Sequence, residues 1–149
     1  MSDRLERGHC FCGAIATEFR GEPFWICFDH DDDCRRAIGA AVVVWVGYRP
    51  EQVRFLKGEP KKYSRTEGVV RTFCPDCGTS IAYEDIGIKK ETYFSLGFFD
   101  RPEAFQPMAH AYWRMKLPWI EFADRLERIE GYSRIRDASL GYPSSRKKT

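Results

Sequence analysis

Two short cysteine pairs constrain this chain more than any other feature. Cys10-Phe11-Cys12-Gly13 and Cys74-Pro75-Asp76-Cys77-Gly78 each close with glycine, and 61 residues lie between Cys12 and Cys74. A tight turn closed by glycine lets two sulfurs of one segment converge while backbone amides face the thiolates, and two such knuckles supply four soft ligands for one tetrahedral zinc ion. Such an ion would be structural, because four protein ligands leave no open coordination position. The alternatives are buried structural cysteines in each hairpin, or a disulfide between the pairs. Zinc is favoured because both pairs carry the glycine and neither sits in an apolar strand interior.

The remainder reads as mainly β. Short apolar or period-2 segments recur at 14–19, 24–28, 41–48, 53–56, 69–73, 80–83, 93–98 and 108–113, separated by turn signals such as Gly21-Glu22-Pro23 and Lys57-Gly58-Glu59-Pro60. Aromatic residues make up 15% of the 149 positions, which suits a sheet-rich core. One or two short helices are expected, over Asp33 to Ala41 and Trp119 to Arg128. The pattern predicts one domain over residues 1–132. Residues 133–149 read as a partly flexible basic tail, solvated or docking on an anion.

With 24 basic against 22 acidic residues, the formal charge of +2 is too small to make nucleic acid or an acidic membrane the expected partner. The N-terminus lacks a secretory h-region, and the apolar run from Ala40 to Val46 is too short to span a bilayer. These features predict a cytoplasmic protein, where thiols stay reduced and six cysteines point to metal or catalysis. No phosphate loop, dinucleotide fingerprint or nucleophile elbow is present, which disfavours nucleotide-dependent chemistry.

A second concentration of donors is Cys27-Phe28-Asp29-His30-Asp31-Asp32-Asp33-Cys34, followed by Arg35-Arg36. At strand spacing Cys27, Asp29 and Asp31 share a side, and Cys34 can return from the next turn toward a common cation. The competing reading is an acidic turn that caps the short helix. His30 would point the other way, to line a pocket or bond to backbone, and structural roles are expected for His9 and His110. Arg35 and Arg36 can meet a substrate carboxylate or pair with Asp32 or Asp33.

The segments Gly8-His9-Cys10-Phe11-Cys12-Gly13-Ala14, Cys34-Arg35-Arg36-Ala37-Ile38-Gly39-Ala40 and Arg71-Thr72-Phe73-Cys74-Pro75-Asp76-Cys77-Gly78-Thr79, with Gly58, Tyr63, Leu96-Gly97, Asp100, His110 and Trp119, together resemble the glutathione-dependent formaldehyde-activating enzymes. That family is grouped with centromere protein V in the Mss4-like fold. The resemblance spans roughly residues 5 to 132. It implies a structural zinc on Cys10, Cys12, Cys74 and Cys77, a small thiol partner such as glutathione, and carbon-sulfur lyase activity on an adduct such as S-hydroxymethylglutathione. It also implies a second metal on a Cys-His-Cys-x-x-Cys motif. Here that motif reads Asp29-His30-Asp31-Asp32-Asp33-Cys34, with two thiols replaced by carboxylates. Two expectations follow. Either Asp29, Asp31 and Cys34, or Cys27 in a shifted arrangement, form a catalytic site with a second divalent cation, or the protein is a non-catalytic zinc-stabilised interaction module.

Overall fold

A computed structural model describes residues 2–88 and 90–135. The described chain is mainly β, with eleven strands, one α-helix and short 3-10 turns. The strands are β1 (Leu5–His9), β2 (Ala16–Arg20), β3 (Trp25–Asp29), β4 (Val43–Tyr48), β5 (Val53–Lys57), β6 (Lys61–Tyr63), β7 (Val69–Phe73), β8 (Ser80–Asp85), β9 (Thr92–Ser95), β10 (Ala109–Ala111) and β11 (Glu127–Arg128). Helix α1 (Asp32–Ile38) follows β3. A small sheet runs β1-β2-β5, and a large one runs β11-β10-β3-β4-β9-β8-β7-β6. Pairings are antiparallel except where β10 lies parallel to β3 and β11.

The large sheet is buried on both faces at its centre, which explains why its middle strands read as near-continuous apolar runs. Successive residues point to opposite faces. Ile26, Val46, Ala82 and Phe94 therefore join one core cluster with Phe19 of the small sheet, while Cys27, Trp45, Tyr83 and Tyr93 join a second. The first cluster contains Cys10 and Cys74, so both knuckles are rooted in the main core. The second contains Cys34, which α1 lays against the opposite face.

Helix α1 starts where the acidic loop ends. Asp31 is its N-cap and its carboxylate accepts from the Cys34 amide, while Gly39 closes it in the left-handed conformation. Replacing Asp31 with alanine removes this cap and is expected to cost about 1 kcal/mol of stability, measurable by urea denaturation, whereas asparagine retains it.

The second expected helix, Trp119 to Arg128, does not form. The segment is irregular until β11. Trp119 stands 71% exposed, so its apolar residues do not share a buried helical stripe. Phe122 and Asp124 instead turn inward onto His110. Beyond β11, Trp25 Nε1 donates to Ser133 Oγ at 3.2 Å and Arg134 pairs with Glu91 at 2.7 Å. The rest of the expected tail, 136–149, lies outside the described residues. Among the described residues no helix is long and apolar enough to cross a membrane.

Candidate metal centre and adjoining acidic loop

The two knuckles share a backbone plan. The Cys10 amide donates to the Ile15 carbonyl and the Gly13 amide to the Cys10 carbonyl. Likewise the Cys74 amide donates to Thr79 and the Gly78 amide to Cys74. Gly13 and Gly78 adopt φ of 78° and 77°, a left-handed conformation that costs an L-residue roughly 1–2 kcal/mol. Adding a Cβ at either meets no neighbour within 4 Å, so backbone conformation rather than space requires the glycine. Across the gap, the Phe11 amide donates to Thr79 Oγ1 at 3.0 Å and locks one knuckle to the other.

The ligand atoms of Cys10, Cys12, Cys74 and Cys77 all lie within 4.8 Å of one another. Four sulfurs held tetrahedrally at about 2.3 Å from one ion would stand about 3.8 Å apart. The Cys10–Cys12 and Cys12–Cys74 sulfurs are 3.6 and 3.8 Å apart, and all four thiols are free rather than disulfide-bonded. Donor type and spacing thus fit a tetrahedral soft-ligand ion.

The surroundings favour thiolate at Cys10 and Cys77, whereas at Cys12 the Ala14 amide is outweighed by burial and the neighbouring thiols, which push it up to about 12. The Ile15 amide donates to Cys10 Sγ at 3.2 Å. Burial pushes the Cys10 thiol up, but the Ile15 amide and neighbouring thiols outweigh it and leave its pKa lowered. The Thr79 hydroxyl and amide bring Cys77 down to about 6.

The acidic loop is arranged differently. Asp29 Oδ1 accepts from the Asp31 amide at 2.9 Å and Oδ2 from Trp45 Nε1 at 3.1 Å. Asp31 Oδ2 accepts from the Cys34 amide at 3.2 Å. Carboxylate atoms of Asp31, Asp32 and Asp33 come within 4.8 Å of one another, while Asp29 and Cys34 stand outside that group. The turn therefore does cap the helix, but Asp29 and Asp31 are buried rather than solvated. Burial, reinforced by the Asp29 charge, pushes the Cys34 thiol up, and Arg71, with Nη2 3.6 Å from Cys34 Sγ, opposes this. Cys27 is buried in the same cluster, and burial raises its pKa as well.

The two arginines after Cys34 separate. Arg35 donates to the carbonyls of His30 and Met115, tying α1 to the chain beyond β10. Arg36 is exposed on the helix. Asp33 pairs with Arg65, at 3.3 Å, rather than with either of them.

The imidazoles form a chain that sequence reasoning missed. His30 Nε2 lies 2.9 Å from His110 Nδ1, and His110 Nε2 lies 3.1 Å from Asp124 Oδ2. The carboxylate can only accept, so His110 Nε2 carries the proton and its Nδ1 accepts from His30 Nε2–H. Both rings are fully buried, with Phe28 stacked on His110 at 4.7 Å and Phe122 and Trp113 edge-on. His30 Nδ1 is buried with no hydrogen-bond partner among the described residues. Burial, then the neighbouring His110 and the Arg35 and Lys116 charges, lowers His30 to about 4. His110 is lowered by burial against the opposing pull of Asp124. The sequence singled out His30 inside the altered motif and His110 among the family-like positions, but nothing in it joined two residues 80 positions apart.

The chain thus joins a four-cysteine cluster on a mainly β fold to an acidic loop that leads into an Arg-Arg helix, and comparison with known proteins gives its class. The profile of the glutathione-dependent formaldehyde-activating enzyme family matches residues 5–115. The chain belongs to this family. No curated protein matches it. Among solved structures, a crystal structure of a Rhodobacter sphaeroides protein from a structural genomics programme is similar in fold, with a TM-score of 0.54 and 20% identity, covering 68% of this chain and 97% of that one.

Proposed function

We propose that the protein is a zinc-stapled, Mss4-like member of its family that acts as a carbon-sulfur lyase on a thiol–aldehyde adduct such as S-hydroxymethylglutathione. The observation that carries the zinc is the near-tetrahedral spacing of the four sulfurs of Cys10, Cys12, Cys74 and Cys77. Family membership supports the reaction. Zinc there supplies a cross-link between the two knuckles and takes no part in a chemical step.

The reaction is placed at Asp29, Asp31 and Cys34. Splitting the adduct requires a base to take the hydroxyl proton, so that the oxygen pair forms the carbonyl while the carbon-sulfur pair leaves on sulfur and gains a proton. A carboxylate of the loop serves as the base. The Cys34 thiol, beside the Arg71 guanidinium, meets the departing sulfur. Because Asp29 and Cys34 stand outside the grouped carboxylates, no step is routed through a second cation.

The test is exchange between glutathione, formaldehyde and their adduct, followed by NMR. The wild type is expected to accelerate it. Cys34→Ala and Asp31→Asn should slow it by at least about 100-fold, as for loss of a general acid or base. Asparagine retains the helix cap, so stability separates catalysis from folding. Unchanged rates in both variants would overturn the assignment. A second reading, a non-catalytic interaction module, is favoured by the hydrogen bonds that already engage the carboxylates of Asp29 and Asp31. It predicts no acceleration by the folded, zinc-loaded wild type.

A further inference from the structure

Strand β5 closes one side of the small sheet. Among the described residues it pairs with β2 alone, and no other backbone hydrogen bond engages 54–57. Its outer edge therefore offers unpaired amide and carbonyl groups to a further strand. Against β5 lies an open cavity of about 190 Å³, smaller than the usual small-molecule site but roomy enough for an apolar side chain. Val53, Phe55, Pro60, Ala82 and Phe94 supply its apolar lining, and Phe55 remains 42% exposed. The charged residues of the lining, Lys62 and Glu84, pair with each other at 3.7 Å.

The outward face of the small sheet carries a row of charge. Glu18 points away from the core that holds Phe19 and stands between Arg7 of β1 and Arg54 of β5 in the strand register. Arg7, Arg20 and Arg54 reach its carboxylate at 3.6, 2.8 and 3.8 Å, so three exposed guanidiniums share one buried carboxylate. Arg54 ends the row, because no strand follows β5 in the sheet among the described residues. Opposite charges directly across neighbouring strands stabilise the pairing, and like charges oppose it.

We infer that the β5 edge docks an extended acidic segment of a partner protein, which adds as a fourth strand with a carboxylate opposite Arg54 and its flanking apolar side chains turned into the cavity against Phe55. Side-chain alternation meets both demands at once, since the residue facing Arg54 points outward and its neighbours point inward. A second copy does not suit the edge: Val53-Arg54-Phe55-Leu56-Lys57 contains no carboxylate, and β5 laid on its own copy brings cations together. Segment 136–149 of the same chain does not suit it either, with Arg136, Arg146, Lys147 and Lys148 against Asp137. Leu56 is an extra residue between the pairs Thr17–Phe55 and Ala16–Lys57, a bulge that limits the docked stretch to the residues before it. No knuckle or acidic-loop residue lines the cavity, so this docking is independent of the lyase reading.

The experiment is an NMR titration of the isotope-labelled, zinc-loaded full chain with a synthetic peptide that alternates glutamate and valine, and with its lysine–valine counterpart. The glutamate peptide is expected to shift the amides of 53–55 and slow their exchange with solvent, with affinity that falls as salt rises. The lysine peptide should bind about tenfold more weakly or worse, and so should a glutamate peptide N-methylated at every residue, which cannot donate to the strand edge. Arg54→Gln should weaken the glutamate peptide about threefold or more. Should that variant fail to fold, the comparison of peptides on the wild type decides. No shift with the glutamate peptide, equal affinity for the two charged peptides, full binding of the methylated one, unchanged affinity in folded Arg54→Gln, or shifts that map away from β5 would each overturn the inference. Concentration-dependent shifts of the same amides without peptide would assign the edge to a second copy and overturn it as well.

Discussion

Stripping zinc with a strong chelator is expected to lower the melting temperature by more than about 10 °C. The ion would join segments 61 residues apart in sequence, and Cys10 and Cys74 sit in the main core beside Ile15, Ile81 and Phe98. Structural zinc contributes its binding free energy to folding, on the order of 10 kcal/mol in small zinc domains. A domain of this size loses about 2–4 °C for each kcal/mol, so even partial loss of that term is a large thermal shift. Cys77→Ser removes one ligand at a half-buried position, where a core cavity contributes little. It should reproduce the effect of the chelator, and chelation should then cause no further shift. An unchanged melting temperature in both would remove the staple from the account.

The second large effect is acid sensitivity from the buried histidine pair. His30 falls from its ordinary value near 6.5 to about 4 in the folded state. Between those values the unfolded chain binds more protons than the native one, so stability rises with pH. The contribution is fully present above about pH 6.5, is lost as pH falls toward 4, and amounts to at most about 3 kcal/mol. His110, also lowered, acts in the same direction. Urea denaturation from pH 7 to 4.5 should show this slope, and in His30→Gln the slope should fall by about 1.4 kcal/mol per pH unit. A wild-type slope of zero through this window would contradict the buried neutral pair.

The elements that sequence reading found are those whose burial follows hydrophobicity. Val69–Phe73 carries β7 with the expected bounds, and the knuckle pairs stand together as expected. Strand β1 was not anticipated because its inward positions are not apolar. Glu6 is buried there, held by Arg4 and Arg101, while Leu5 is exposed. Strand β6, Lys61–Tyr63, is exposed throughout and gives no periodic signal.

The same distinction governs the site. The sulfur centre was legible because ligand type and glycine closure are local. The cavity between α1 and β7 was not, because Arg36 of α1 and Arg71 of β7, 35 positions apart, come to line one pocket only in the folded chain. The His30–His110–Asp124 chain was hidden for a similar reason, since Asp124 arrives on an irregular segment whose apolar spacing suggested a helix. Asp29 and Asp31, prominent as candidate ligands, also accept the backbone amides that shape the loop and start the helix.

The most direct test of the central claim is X-ray absorption at the zinc edge together with metal analysis of the purified chain. The account predicts one zinc per chain, surrounded by four sulfurs at about 2.3 Å, with the signal lost in Cys77→Ser. A chain without zinc, or one whose zinc is bound mainly by oxygen and nitrogen, would contradict it.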